Sequence, residues 1–317
     1  MSRAYARSKR MRPSSWAQEI TAATQGMIHS RSGPRLMLPP YRLNPRAPLN
    51  QGLVAKYICL PGMTGGQYWY DLCGKNKGTL TNMTSGYGWQ GAIGRPGGWG
   101  AMRFDGVNDY IAIANSSKLD FTSAYTISAW LYPPSLRNFE TIAVRGNSIA
   151  ISDIEVYIAG GTPGQALTIV HNRSNGGTLS FGHSSGGRPD GPTGNPPAAT
   201  WTMLTITYDG SSAKIYYNGA YYTYKTLLPP LATGKGWYFG YLPAGGYSDE
   251  SLDDISIYNL ALSDAEVAGL YEASMNHYPT QLNRFSYRPR YVPSGFNPAW
   301  AARSTITIQP GICVGAA

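Results

Sequence analysis

The sequence predicts an all-β protein folded as an antiparallel sandwich, with one short helix after the last strand and an extended arm at each end. Short runs of alternating apolar and polar residues, the pattern of half-buried strands, recur from Gly52 onward. Turn dipeptides separate these runs, and 38 Gly and 23 Pro in 317 residues indicate many turns. An apolar content of 42% is ample for a core.

The clearest strands lie in residues 199–225, ATWTMLTITYDGSSAKIYYNGAYYTYK. The first run ends at Asp209-Gly210, and the second ends at Asn218-Gly219. Asn-Gly is the strongest short hairpin signal, because a type I′ turn needs positive φ at both central residues. The segment therefore predicts three consecutive antiparallel strands at the centre of the sandwich.

Charge and proline content divide the chain into three regions. Residues 1–51 hold nine Lys or Arg, one Glu and six Pro, a net charge of +8, and predict a basic Pro-rich arm with one short helix over Ser15–Thr24. Residues 276–317 carry +4 and predict a basic extended tail, which leaves −3 for the sandwich at 52–275. Localised basic arms favour an acidic partner.

The remaining elements of the sandwich follow in order. Strands are predicted for GLVAKYICL, WYDLCGKNKGTLTNM, AMRFDGVNDYIAIA, AYTISAWLYPP, ETIAVRG, IAISDIEVYI, GKGWYFGYL and SLDDISIYNL. Residues 172–198 are rich in Gly, Ser and Pro and predict a long surface loop or loose hairpin. Ser263 and Glu266 form a capping box for the helix, whose apolar face carries Val267, Leu270 and Tyr271.

The three cysteines, Cys59, Cys73 and Cys313, are too few and too widely spaced for a disulfide scaffold or a zinc site. We expect buried free thiols. A Cys59–Cys73 disulfide is the alternative if the compartment is oxidising. The basic N-terminus lacks the apolar stretch of a secretory signal, and no apolar run approaches the ~20 residues of a membrane span.

Five motifs in this order resemble the laminin G-like branch of the concanavalin A-like lectin/glucanase superfamily. They are GLVAKY…WYDLCGKNKGTL, MRFDGVNDYIAI, YTISAWLYP, WTMLTITYDGSSAKIYYNG and LDDISIYNLALSDAEVAGLY. The resemblance covers residues 52–275 and implies a two-sheet jelly roll of a dozen or more strands. It implies less about function, because this fold serves lectins, adhesion modules, glycosidases and virion proteins.

The combination of such a module with basic tails is similar to modules in tailed-phage structural proteins. We therefore expect a non-enzymatic structural or decoration protein of a larger assembly, located in a virion and held to other subunits by its arms. The alternative is a glycan- or cell-surface-binding adhesion module, extracellular or at the cell surface. A homo-oligomer stays open, and direct nucleic-acid contact is not expected.

A glycosidase of this superfamily needs Glu-x-Asp-x-(x)-Glu on one strand. The nearest approach is ISDIE, in which Ile151 stands at the position of the nucleophile while Asp153 and Glu155 share a strand face. We expect no hydrolase activity and two solvated acids. The histidines also lack a catalytic neighbour and are expected at the surface; they are His29, His171, His183 and His277.

Calcium is the better chemical hypothesis, since related modules often carry it and loop oxygens suit it. The candidate ligands occupy one turn and the last strand: Asp105, Asn108, Asp109, Asp253 and Asp254. The alternative is that Asp105 and Asn108 only hydrogen-bond their own turn.

Glycan binding is a third candidate, because sugars stack on aromatic faces. The aromatic candidates near loop ends are Tyr222, Tyr224, Trp237, Tyr241 and Tyr247. Alternating aromatics also serve sheet packing, and the sequence does not tell which face is exposed.

Assembly contacts are expected from the arms, where Arg would bind carboxylates and aromatic side chains would fill apolar pockets. The expected anchors are Arg10, Arg12, Trp16, Arg35, Arg42, Arg288, Arg290 and Trp300.

Overall fold

The structure is a computed structural model that describes residues 41–44, 46–60, 64–84, 87–91, 94–135, 140–146, 153–159, 166–171, 178–180, 196–231, 234–243, 246–276 and 282–284. All of these residues belong to the unit Pro39–Ala317. The helix expected over Ser15–Thr24 and most of the loop expected at 172–198 lie outside the described residues.

The described residues contain 21 strands, one 3₁₀ helix and one α-helix. The strands are β1 Tyr41–Leu43, β2 Leu53–Tyr57, β3 Thr64–Gly65, β4 Tyr68–Trp69, β5 Gly78–Thr81, β6 Gly88–Gln90, β7 Ala101–Arg103, β8 Tyr110–Ile113, β9 Tyr125–Tyr132, β10 Glu140–Arg145, β11 Ile154–Ala159, β12 Ala166–His171, β13 Thr178–Ser180, β14 Thr202–Tyr208, β15 Ser212–Tyr217, β16 Ala220–Thr226, β17 Trp237–Phe239, β18 Tyr241–Leu242, β19 Gly246–Tyr247, β20 Ser251–Tyr258 and β21 Leu282–Arg284. The 3₁₀ helix is Pro48–Asn50 and the α-helix, α1, is Asp264–Met275.

Two large antiparallel sheets form the sandwich. One has nine strands in the order β13-β12-β11-β10-β17-β8-β5-β4-β3. The other has eight, in the order β16-β15-β14-β9-β20-β7-β6, with β2 pairing β20 off this path. The predicted all-β sandwich with one helix after its last strand is thereby confirmed.

The three predicted antiparallel strands form, but they lie at one edge of the eight-stranded sheet, with β16 outermost, and not at the centre of the sandwich as expected. β14 pairs β15 and β15 pairs β16, both antiparallel. Asn218 and Gly219 connect the last two strands with φ of 51° and 80°, as a type I′ turn requires. The Asn218 side chain also accepts a hydrogen bond from the Met203 amide at 2.9 Å, which ties the turn to β14.

The main core lies between the sheets, where alternate residues of each strand point inward. Its side chains include Trp69, Phe104, Tyr125, Tyr208 and Trp237, all with no measurable exposure. Because the period of a strand is two, the intervening residues point to the outer faces. The two outer faces are therefore where elements added to the sandwich must pack.

Helix α1 covers part of the outer face of the eight-stranded sheet. Its capping box of Ser263 and Glu266 forms as predicted, and Val267 and Leu270 are buried. Tyr271 stacks on Trp130 of β9 with ring centroids 5.7 Å apart. The other outer face, that of the nine-stranded sheet, has no helix on it among the described residues.

The residues before Gly52 already contact the sandwich. Tyr258 donates to the Leu49 carbonyl at 2.9 Å, and β1 pairs β21, so the two ends of the described chain meet in a short ribbon. The domain boundaries at 52 and 275 remain predictions. Within the described residues, no helix has the length and apolarity needed to cross a membrane.

Candidate functional site

The outer face of the nine-stranded sheet carries a row of side chains that crosses five strands. Successive registers pair Val144 with Tyr238, Tyr238 with Ala112, Ala112 with Thr79, and Thr79 with Tyr68. Paired residues point to the same face, and the neighbours of these residues along their strands point into the core. The row therefore runs perpendicular to the strands across the outer face.

Four tyrosines form a cluster at one end of this row, which we call the tyrosine cluster: Tyr110, Tyr238, Tyr241 and Tyr247. Tyr241 and Tyr247 come from the short hairpin β18–β19 and stack with centroids 4.8 Å apart at 22°. Tyr110 lies 5.4 Å from Tyr241 and 6.0 Å from Tyr238. The hairpin thus folds its two rings over the sheet, against the rings of β8 and β17.

The tyrosine cluster is partly exposed and keeps its polar groups accessible. All four side chains are intermediate in burial. In the described part of the chain, none of the four hydroxyls hydrogen-bonds another protein group, whereas the buried Tyr125, Tyr208 and Tyr258 hydroxyls do so. Burial and then the Tyr247, Tyr110 and Tyr238 neighbours raise the pKa of Tyr241, so its hydroxyl stays protonated and able to donate.

The middle of the row carries small side chains, and its far end carries an aromatic ring beside a cation. Ala112 and the exposed Thr79 are the smallest side chains of the row. Beyond them lies Tyr68, with the Lys77 ammonium 3.7 Å from the centre of its ring. Three strand spacings of about 4.8 Å place Tyr238 and Tyr68 about 14 Å apart. We call this feature, with Ala112 and Thr79 as its floor, the cross-strand groove.

The aromatic residues expected to bind glycans fall in three different places. Tyr241 and Tyr247 belong to the tyrosine cluster. Tyr222 and Tyr224 lie on β16, the edge strand of the other sheet, where Tyr222 packs on Tyr217 and Tyr224 is 61% exposed. Trp237 is corrected: it is completely buried, because its position in β17 points inward while that of Tyr238 points outward.

Tyr110 was missed by the sequence analysis. Its strand reads Tyr-Ile-Ala-Ile, and the buried Ile111 and Ile113 alternate with Tyr110 and Ala112. That alternation could have identified Tyr110 as the outward residue of the strand. The sequence could not have shown that Tyr110 contacts Tyr241 and Tyr247 of the hairpin, because that contact depends on the fold.

The five oxygen-bearing residues expected to bind calcium do not form one cluster. Among the described residues, no group of three or more His, Cys, Asp or Glu side chains could hold a metal ion. Asp105 Oδ1 accepts hydrogen bonds from the amides of Val107, Asn108 and Asp109, which is the turn-capping alternative. Asp109 is buried, and burial followed by the Asp105 charge raises its pKa to about 6.

Asp253 and Asp254 serve a different purpose, because both form buried ion pairs. Asp254 lies 2.7 Å from Lys56 Nζ and 3.0 Å from Arg95 Nη2, and Asp253 lies 3.0 Å from Arg95 Nε. A β-bulge with Asp254 at φ 54° turns these carboxylates together, where two cations neutralise them. Their oxygens are therefore already used within the protein.

The acids near the start of β11 are buried, which corrects the expectation of two solvated side chains. Asp153 is 2% exposed and lies 3.7 Å from Arg145 Nε, and Glu155 has no exposure. Arg145 also donates to the carbonyls of Leu119, Phe121 and Leu231. Asp153 thus balances a structural arginine that fastens surrounding loops.

His171 was expected at the surface and is instead fully buried. Its Nδ1 lies 2.6 Å from the Leu228 carbonyl and its Nε2 lies 2.5 Å from the Tyr125 hydroxyl. The alternation of β12 places it inward, which the flanking Gly- and Ser-rich sequence concealed. The other three histidines lie outside the described residues.

Cys59 and Cys73 are both free thiols, the former buried and the latter partly so. Of the eight expected anchors, Arg42 lies in β1, opposite Asn283 of β21. The other seven lie outside the described residues.

Comparison with known proteins agrees with this architecture. Residues 105–268, more than half of the chain, match the profile of the concanavalin A-like lectin/glucanases superfamily. Comparison with curated proteins gives no significant match.

Two solved structures share the fold at low sequence identity. The binding domain of Paraclostridial Mosquitocidal Protein 1 is 18% identical with a TM-score of 0.50, and the alignment covers 73% of this chain but only 53% of that one. Domain 4 of AbnA, a GH43 extracellular arabinanase from Geobacillus stearothermophilus solved with arabinotriose, is also 18% identical with a TM-score of 0.50, covering 69% of this chain and 98% of that domain.

Proposed function

The chain belongs to the concanavalin A-like lectin/glucanases superfamily, and we propose that it is a non-catalytic, lectin-like module that binds an extended glycan in the cross-strand groove. The observation that carries this proposal is the tyrosine cluster, whose four partly exposed rings border a low floor and whose hydroxyls make no hydrogen bond within the described protein. Aromatic faces stack on the apolar faces of sugar rings, and free hydroxyls can serve sugar hydroxyls.

The shape of the groove favours a chain of several sugars over a single sugar. Small side chains at Ala112 and Thr79 leave room between Tyr238 and Tyr68, a distance of about 14 Å by strand spacing. Lys77 adds a cation at the far wall, 3.7 Å from the Tyr68 ring centre. A glycan lying across the strands would touch both walls.

A direct test replaces the hydroxyls and keeps the rings. Tyr241→Phe and Tyr247→Phe should each weaken glycan binding about 2- to 10-fold, because a net hydrogen bond contributes about 0.5–1.5 kcal/mol. Binding is measured by glycan array and then by calorimetry, with neutral and acidic oligosaccharides that include arabinotriose. Tyr224→Phe, on the opposite sheet, is the matched control and should bind as the wild type does.

A second pair of variants tests the groove itself. Ala112→Trp fills the floor and should abolish binding, whereas Ala220→Trp adds the same bulk at an exposed site on β16 and should leave binding intact. Melting curves of both variants report whether the fold is kept. Wild-type affinity in a folded Ala112→Trp protein would move the binding site away from this groove.

A second role, attachment to a larger assembly, is proposed for the two ends of the chain. The observation that favours it is the charge distribution, +8 over residues 1–51 and +4 over residues 276–317 around a sandwich of −3. Localised basic segments of this kind favour an acidic partner. A virion, with the sandwich as its decoration, is the assembly that we propose.

A further inference from the structure

A cavity of about 300 Å³ adjoins the far wall of the cross-strand groove. Its lining comes from the turn that connects β4 to β5, through Tyr70, Asp71, Gly74, Lys75 and Lys77. Lys77 links the cavity to the groove, because its ammonium lies 3.7 Å from the centre of the Tyr68 ring. The centres of the Tyr68 and Tyr70 rings are 6.2 Å apart. The volume lies at the lower end of the range for small-molecule sites.

Buried polar side chains fix the shape of this turn. The Asp71 carboxylate is buried and accepts hydrogen bonds from the Lys75 and Asn76 amides at 3.3 and 3.1 Å. The Asn76 side chain is buried too and donates to the Val54 carbonyl at 3.2 Å. Gly74 closes the turn with φ of 83°, and its amide donates to the Asp71 carbonyl at 2.9 Å. The main chain that carries the two lysines is therefore held from below.

The turn presents two cations at the surface. Lys75 and Lys77 are exposed, whereas Asn76 between them is buried. In the part of the chain that the structure describes, neither ammonium forms an ion pair. Asp71 is the acid that lines the cavity, and both of its oxygens accept hydrogen bonds from amides, which stabilise its charge. Two unpaired cations beside one hydrogen-bonded carboxylate leave the cavity with an excess of positive charge.

We propose that this cavity binds a negatively charged substituent of a sugar, a carboxylate or a sulfate, and thereby makes the module selective for acidic glycans. Lysine carries a point charge with three donors on a flexible stem, so Lys75 and Lys77 can serve either anion. The Tyr68 and Tyr70 rings offer apolar faces to the sugar that carries the anion. The neighbouring sugars of the same chain lie in the cross-strand groove, which begins at Tyr68. The inference names the class of glycan for that groove, so it rests on the proposed function.

The test compares probes that differ only in charge, with calorimetry on the full-length protein. One pair is tetragalacturonate and its methyl ester, and the other is sulfated and unsulfated laminaritetraose. The wild type should bind the charged member of at least one pair about 5- to 30-fold more tightly than its neutral partner, which is the effect of two exposed ion pairs. Higher salt should reduce this preference, because it screens exposed charges. The pair that shows the preference identifies the anion as a carboxylate or a sulfate.

Two double variants assign the preference to the cavity. Lys75→Gln/Lys77→Gln should lose the preference for the charged probes and should bind the neutral probes as the wild type does. Lys214→Gln/Lys225→Gln removes the same charge from β15 and β16 of the other sheet and should keep the preference. Melting curves report whether both variants fold. The single variant Lys75→Gln leaves the contact of Lys77 with the Tyr68 ring in place, and it should lose part of the preference if the double variant fails to fold.

The proposal is overturned if the wild type binds each charged probe no more tightly than its neutral partner, or if the folded Lys75→Gln/Lys77→Gln protein keeps the preference. An equal loss in Lys214→Gln/Lys225→Gln would also overturn it, because the net charge of the protein would then be the cause. Neutral probes that bind the wild type but not Ala112→Trp, without any charge preference, would contradict only the cavity. A charge preference that survives in Ala112→Trp and is lost in Lys75→Gln/Lys77→Gln would contradict only the proposed groove.

Discussion

His171 is held as a neutral imidazole by a partner on each ring nitrogen. The Leu228 carbonyl can only accept, so Nδ1 carries the proton and Nε2 accepts from Tyr125. Burial lowers the pKa of His171 to about 4, the Leu228 contact partly opposes this, and the Arg145 charge lowers the pKa further. Tyr208 packs edge-on against the imidazole with ring centroids 4.7 Å apart, and His171 has no exposure to solvent.

Stability should therefore fall as the pH falls below 6.5. Between pH 6.5 and about 4, His171 is protonated in the unfolded chain but not in the folded chain. The free energy of unfolding should therefore fall by about 2 kcal/mol between pH 7 and pH 5. Below about 4 this loss levels off. Urea unfolding of the wild type and of His171→Gln measures it, since Gln keeps a donor and an acceptor but does not titrate.

The comparison uses the change of the free energy of unfolding with pH and not its absolute value, because Gln fills the site less well than His. His171→Gln should show the shallower dependence on pH over this window. An identical slope in both proteins would mean that His171 is charged in the folded state or does not contribute.

At the scale of single elements, the bulge in β20 decides how the eight-stranded sheet is assembled. β20 pairs β9 along its length, whereas its other edge is shared by β7 at one end and β2 at the other. The register shift between Asp253 and Ser256 turns both aspartates toward Lys56 and Arg95. Burial lowers the pKa of Lys56, whereas the neighbouring Asp254 carboxylate raises it. Lys56 and Asp254 therefore depend on each other to stay charged.

Removing one member of this buried network should be strongly destabilising. Arg95→Met leaves Asp253 with no cation and should cost about 3–5 kcal/mol, the usual result of breaking a buried pair from one side. The exposed pair Lys214–Asp264 is the control, and Lys214→Met should cost less than ~1 kcal/mol. Denaturant unfolding measures both variants.

The double variant Arg95→Met/Asp253→Asn separates lost charge from lost packing. It should recover part of the stability, because the orphaned carboxylate is gone. Equal losses in the single and double variants would place the effect in the packing of Arg95 on Trp130, where the guanidinium lies 5.2 Å from the ring.

At the scale of the whole molecule, attachment to an assembly and glycan binding should be separable. A chain shortened to residues 39–284 keeps the ribbon β1–β21 and the contact of Leu49 with Tyr258. It should fold, melt cooperatively and bind glycan as the full chain does, but it should fail to join the assembly. Sedimentation with the assembled particle, together with calorimetry, measures both properties.

Higher salt should lower the association rate of the full chain with the assembly more than it raises the dissociation rate of the complex. Charged residues steer association, whereas the aromatic anchors hold the complex together. A shortened chain that still joined the assembly at full occupancy would move the attachment surface onto the sandwich.

Local patterns were enough to determine the hairpin at Asn218-Gly219, the capped helix and the sandwich class from the sequence, although not the place of the hairpin at the edge of its sheet. Asn218-Gly219 favours a type I′ turn whatever surrounds it. The Ser263–Glu266 capping box requires only that the two residues stand three positions apart. Period-two alternation predicts which side of a strand is buried. Such properties depend on residues near each other in the chain, so the sequence determines them without reference to the rest of the fold.

Only the tertiary structure decided which distant residues meet and which face stays open. Tyr110 joins Tyr241 and Tyr247 across more than a hundred residues. Asp253 and Asp254 looked like free oxygen ligands until Lys56 and Arg95 were placed beside them. The physical reason is that burial and charge compensation are properties of a packed neighbourhood, and the register between distant strands creates that neighbourhood.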